Sequence, residues 1–140
     1  MAGYSGTPLN KKLGIKPGFR IYAKNAPTAY IQMLQPLPGN IQLLKRISSN
    51  LDMVHVFFTE KEEILGELSQ MLKHIKADGM IWASWPKKSA KLPTNITEDI
   101  IRNAALTLGL VDIKVCAVDE IWSALKLVIR KELRKKRTNQ

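Results

Sequence analysis

Within seven residues, Trp85-Pro-Lys-Lys-Ser-Ala-Lys91, the chain places an indole, a proline and three lysines. Lysine ammonium groups act as point charges for phosphate and carboxylate. An indole beside them supplies a flat apolar wall, and Pro86 stiffens the backbone between them. The residues just before, Met80–Ser84, form a short apolar run that reads as a strand. In open α/β sheets, ligands bind outside the carboxyl ends of strands. The combination predicts an anion-binding crevice built from Trp85, Lys87, Lys88 and Lys91. Asn95 and the helix start after it would add free N–H groups to such a site.

The other chemistry-bearing residues give weaker signals. His55 stands mid-strand between valines, where a neutral, hydrogen-bonded core histidine is the expected state rather than a general base. His74 falls near a helix C-terminus, which suits its charge. Cys116 lies between Val115 and Ala117 and reads as a small apolar residue. Asp119-Glu120 could pair for acid–base work, but adjacent residues in a turn point apart, so turn formation or a salt bridge to Lys87 or Lys88 is preferred. No His/Cys/Asp group has metal-ligand spacing. No phosphate-binding loop, nucleophile elbow or comparable catalytic signature occurs. A non-catalytic role without a cofactor or metal is therefore expected.

The elements that must position these residues alternate strand and helix. Strands are predicted at Phe19–Ala23, Leu51–Phe58, Met80–Ser84, Val111–Val118 and Trp122–Arg130. Residues 41–47 are ambiguous between strand and helix and lean towards a short strand. Asn25-Ala-Pro27 reads as a helix start. Thr59-x-x-Glu62 and Asn95-x-x-Glu98 read as starts of two further helices. Ile64, Leu65, Leu68, Met71, Leu72 and Ile75 recur at helical spacing, and Asp78-Gly79 closes that connection. Gly109 marks the end of the last predicted helix.

Only Asp119-Glu-Ile121 separates the last two strands, which is enough for a hairpin and too short for a parallel crossover. The expected fold is α/β, three-layered and Rossmann-like. Its mostly parallel sheet has five or six strands and ends in an antiparallel C-terminal hairpin. In that topology Asn25, Thr59, Trp85, Lys87, Lys88, Lys91, Asp119, Glu120 and Trp122 gather at one end of the sheet. They are the candidate ligand-binding residues.

The chain has 140 residues, a formal net charge of +10 and one cysteine. That length suits one domain, read as an irregular arm over 1–18, an α/β domain over 19–130 and a basic tail over 131–140. A single cysteine excludes an internal disulfide, and no signal-peptide pattern opens the chain, so a reducing cytoplasm is expected. No apolar run approaches the ~18 residues of a spanning helix. Arg130–Arg137 holds six basic residues and one acid. Such a segment suits weak, nonspecific nucleic-acid contact or simple solvation, and it lacks an aromatic residue for base stacking.

Several segments together resemble a bacterial family of small proteins known as a domain of unknown function. They are Ser5-Gly-Thr-Pro-Leu9, Lys11-Lys-Leu-Gly-Ile-Lys16, Ser84-Trp-Pro-Lys-Lys88, Thr97-Glu-Asp99, Gly109-Leu-Val-Asp-x-Lys-Val-Cys-Ala-Val-Asp-Glu120, Trp122-Ser123 and Leu125-Lys-Leu-Val128. The resemblance implies a bacterial cytoplasmic protein and brings no assigned activity with it. More distantly, the order of elements resembles the class I methyltransferase sheet, which implies shared architecture. The residues depart from that family's cofactor pattern. Ala23-Lys-Asn-Ala-Pro-Thr28 carries no glycine after the first strand, and Lys45-Arg46-Ile47 stands where a ribose-holding acid is expected. S-adenosylmethionine binding is therefore not expected. The resulting reading is binding of a small anionic ligand or acidic partner at the strand ends. The alternatives are a divergent enzyme of methyltransferase-like ancestry and a weak nucleic-acid binder acting through the tail.

Overall fold

The computed structural model describes residues 6–138, with side chains through residue 134. Six strands form one sheet: β1 (Arg20–Lys24), β2 (Gln42–Leu44), β3 (Leu51–Phe57), β4 (Ile75–Pro86), β5 (Leu110–Ala117) and β6 (Trp122–Ile129). Their order is β2-β1-β3-β4-β6-β5. β1 to β4 pair in parallel, while β6 is antiparallel to both β4 and β5. β5 therefore points the same way as β1 to β4. The predicted mostly parallel sheet with a terminal antiparallel hairpin is present, and the ambiguous 41–47 segment contributes the short strand β2.

Both faces are covered, which is why β3 reads as a nearly unbroken apolar run. On one face α3 (Ile64–Leu72) and α4 (Glu98–Thr107) cover Val54, Val56, Ile81, Ala83, Leu125 and Leu127. On the other, α1 (Leu9–Lys12) and α2 (Tyr30–Met33) lie over Ile21, Met53, Phe57 and Trp82. Each large apolar side chain so buried contributes about 1.5–3 kcal/mol relative to exposure.

Several boundaries differ from the sequence expectation. Ile75 opens β4 instead of closing α3, and Asp78-Gly79 lie inside that strand. The β3–β4 register passes from Leu51 opposite Ile75 to Met53 opposite Met80, so the extra residues of β4 form an irregular bulge. Gly79 is required there: a Cβ would fall 2.9 Å from the Leu51 carbonyl oxygen. Asn25 does not start a helix. Ala26 precedes Pro27 and is steered to extended backbone, Asn25 takes a left-handed φ of 60°, and α2 begins only at Tyr30.

Neither predicted capping box forms as such. The Asn95 side chain accepts the Lys61 N–H at 2.8 Å, capping the turn that leads into α3. α4 is instead capped by Thr97, which accepts the Ile100 N–H. Gly109, at φ +82°, ends α4 as expected.

The N-terminal arm is less irregular than its glycines and Pro8 suggest. Leu13 and Ile15 are buried, and the Asn10 side chain donates to the Leu34 and Pro36 carbonyls at 2.8 Å each. Residues 1–5 of that arm lie outside the described residues. The basic tail is also ordered in part, as helix α5 (Lys131–Thr138). Among the described residues no helix is long and apolar enough to cross a membrane.

Candidate functional site

The carboxyl ends of β1 to β5 share one end of the sheet, and the β5–β6 turn lies there too. The Lys87 N–H donates to the Ile121 carbonyl at 2.7 Å, which ties the lysine loop to that turn. Pro86 pairs with Trp122. Asn25, Thr59, Trp85, Lys87, Lys88, Lys91, Asp119, Glu120 and Trp122 therefore all lie towards one end, but on separate surfaces.

Trp85 is buried among the residues under α3 and α4. Trp122 is half-buried on the opposite face, its ring edge-on to Phe57 at 5.0 Å. Asp119 is spent on the turn, accepting from the Ile121 and Trp122 N–H groups at 2.8 Å each. Glu120 is exposed. Among the described residues, neither Asp119 nor Glu120 pairs with Lys87 or Lys88, so the expected salt bridge is not formed and turn formation is.

Cavities bordered by described residues open at this end. A shallow one of about 470 Å³ is bounded by Lys88, Lys91, Thr94, Asn95, Ile96 and Thr97. Its wall is braced to the loop after β3, because Thr94 donates to the Thr59 carbonyl at 2.9 Å. Lys91 takes a left-handed φ of 59°. Among the described residues Lys88 and Lys91 form no ion pair. Glu98 and Asp99, in the first turn of α4, would repel an anion, but Arg102 pairs with both and with Asp112. Those hydrogen bonds, Glu98 first, hold Arg102 firmly charged.

The second cavity, about 190 Å³, lies beside Ala23, Ala26, Thr28, Tyr30, Leu43 and Leu44. Its walls are mostly apolar. Below it the Tyr30 hydroxyl is 2.8 Å from His55 Nδ1, and His55 Nε2 is 2.7 Å from Ser84 Oγ. His55 and Ser84 are fully buried. Burial lowers the His55 pKa to about 3 and raises that of Tyr30. A neutral ring, donating from one nitrogen and accepting at the other, satisfies the relay. The expected core histidine is thus found, and its partners Tyr30 and Ser84 were not legible beforehand. Among the described residues no cluster of His, Cys, Asp or Glu could hold a metal ion.

A family model described as "Protein of unknown function (DUF3052)" matches residues 32–131. The chain belongs to the DUF3052 family. No curated protein matches the sequence. Among solved structures, an S-adenosylmethionine-dependent methyltransferase from Aquifex aeolicus is similar at 15% identity and a TM-score of 0.64. That match covers 86% of this chain and 87% of the other. A ribosomal protein L11 methylase from Lactobacillus delbrueckii subsp. bulgaricus is 12% identical, with TM-score 0.60 and coverage of 87% and 75%. Magnesium protoporphyrin IX methyltransferase from Synechocystis PCC 6803 is also 12% identical, with TM-score 0.58 and coverage of 81% and 75%. At these identities the likeness establishes the fold and not the activity. The DUF3052 chain has a methyltransferase-like Rossmann fold.

The residues after β1 and β2 do not fit S-adenosylmethionine. Ala23, Ala26, Pro27 and Thr28 border the second cavity, so side chains stand where a glycine turn would let backbone approach a cofactor. Pro27 lacks an N–H. β2 ends at Leu44 and is followed by Lys45 and Arg46, both exposed, with no carboxylate to hold a ribose.

Proposed function

We propose that this DUF3052 protein is a non-catalytic binding domain that takes a small anionic ligand at the carboxyl end of its sheet. The observation that carries this reading is the cavity bounded by Lys88, Lys91, Thr94, Asn95 and Thr97. Two lysines without carboxylate partners border it, and Arg102 partly offsets the charge of Glu98 and Asp99. The Thr97 hydroxyl, which accepts the Ile100 N–H, keeps its own proton to donate at the same rim, whereas that of Thr94 is spent on the Thr59 carbonyl. Trp85 and Trp122 leave the proposed site. Trp85 supports the loop from below, and Trp122 packs on the other face. Lys87, Asn25, Thr59, Asp119 and Glu120 frame the same end of the sheet without bordering this cavity.

The absence of a fitting cofactor loop favours binding over methyl transfer. The buried Tyr30–His55–Ser84 relay supports the same view, because Ser84 has no exposed surface from which to meet a substrate. Native mass spectrometry of freshly purified protein tests the reading. A copurifying anion of small mass is expected, and the Lys88→Ala/Lys91→Ala double variant should lose it while keeping its melting temperature. Retention of that mass by the double variant would overturn the assignment to this cavity.

A further inference from the structure

A second group of lysines converges away from the strand ends. In the β5–β6 ladder Asp112 stands opposite Leu127 and Lys114 opposite Lys126, which leaves Ile113 as an extra residue, a β-bulge. Before the bulge, Val111 opposes Val128 on the face shared with α1 and α2. Regular alternation from Val111 would send Lys114 to the opposite face. The bulge shifts the phase by one residue, so that Val111, Lys114 and Cys116 all face the α1 side.

Lys126 is flanked on its other side by Trp82 of β4. Trp82, Lys126 and Lys114 thus form a row across three strands. Lys114 Nζ lies 6.0 Å from the Trp82 ring centroid, at the limit of cation–π attraction. Lys126 Nζ reaches across to Gly14, 4.0 Å from where a Cβ there would stand. Lys12 donates to the Ala117 carbonyl at 3.4 Å.

Like charges directly opposite in an antiparallel pair are destabilising. This pair also includes a partly buried ammonium: Lys126 has its pKa lowered by burial, then by Lys114 and Lys16. Among the described residues Lys16, Lys114 and Lys126 form no ion pair. A register that sets one lysine opposite another adds repulsion, and a bound anion reverses its sign. Several ammonium groups at one place match a multiply charged anion better than a single carboxylate.

We propose that Lys114 and Lys126, with Lys12 beside them, form a binding site for a phosphate-bearing polyanion on the sheet face next to α1. The site uses different residues and a different surface from the Lys88–Lys91 cavity.

Calorimetric titration with pyrophosphate at fixed ionic strength tests it. The wild-type chain should bind, and Lys114→Gln and Lys126→Gln should each weaken binding by about tenfold or more, the scale of one charged hydrogen bond. The Lys88→Ala/Lys91→Ala variant should bind pyrophosphate here as the wild type does, so failure of the cavity reading leaves this one standing. Unliganded Lys114→Gln should melt at the wild-type temperature or above it, since it removes a repulsion. If Lys126→Gln fails to fold, Lys114→Gln, at an exposed position, decides alone. No binding by the wild type, or undiminished binding by the lysine variants, overturns the proposal. A single-stranded oligonucleotide that displaces pyrophosphate would assign the anion to a nucleic-acid backbone. One that does not displace it would assign a free polyphosphate; both results uphold the site.

Discussion

Trp85 and Trp122 stand one register step apart on neighbouring strands and face opposite sides of the sheet. Trp85 pairs with Ser123, and Trp122 with Pro86. Their side chains join different cores, Trp85 under α3 and α4 and Trp122 beside Phe57. Trp85→Ala should therefore cost about 3–5 kcal/mol of stability, as removal of a buried aromatic does. Trp122→Ala should cost less, because its ring is only half-buried. Urea unfolding of both variants checks the order. A larger loss for Trp122 would contradict the packing described.

His55 gives the protein a pH-dependent term. Its folded pKa is about 3, against 6.5 unperturbed, because burial disfavours the imidazolium. Between these values the unfolded chain binds the extra proton and the folded chain does not. Stability is thus complete above pH 6.5 and falls as pH drops towards 3, with a slope approaching about 1.4 kcal/mol per pH unit. Urea midpoints between pH 7.5 and 5, above most carboxylate titrations, should show the decline. A His55→Gln variant should be less stable overall and flatter in this window. An unchanged slope would assign the effect to another group.

The parts of the fold that were legible are those governed by short-range pattern. Leu51–Phe58 announced a buried strand by its continuous apolarity, and the three-residue gap before Trp122 forced the hairpin. The sharing of one sheet end by the lysine loop and the hairpin turn followed from parallel crossovers. What was not legible depended on tertiary choice. Asn95 stands three residues before a glutamate, the pattern of a capping box, yet its side chain serves the turn before α3. Asp78-Gly79 looks like a turn but bulges within β4, where Gly79 permits the approach of Leu51. The lysine row is already contained in the hairpin spacing. Counting outward from the turn places Lys114 opposite Lys126. Their shared face is that of Ala124 and Val128 on β6, and only tertiary packing puts α1 over it.

The same side chains after β1 and β2 that fail to fit S-adenosylmethionine set a direct expectation. Calorimetry should detect no low-micromolar binding, which would correspond to roughly −8 kcal/mol. Restoring a glycine alone, as Ala26→Gly, should not create it, because the carboxylate after β2 would still be missing. Low-micromolar binding by the wild type would reopen the enzyme reading.

Gly79 provides a sharp test of the bulge in β4. A Cβ at this position would meet the Leu51 carbonyl oxygen at 2.9 Å and the Lys76 carbonyl oxygen at 3.0 Å. Backbone atoms cannot swing aside as a flexible side chain would. Gly79→Ala should therefore destabilise by about 1–3 kcal/mol, the usual range for forced overpacking, despite the ordinary gain in chain stiffness from that substitution. Gly66, with nothing within 4 Å of its own added Cβ, is the control. It lies inside α3, where alanine is the better helix former, so Gly66→Ala should stabilise by about 0.8–1 kcal/mol. Thermal unfolding of the two variants should give shifts of opposite sign, and a stabilising Gly79→Ala would show that β4 does not bulge against Leu51.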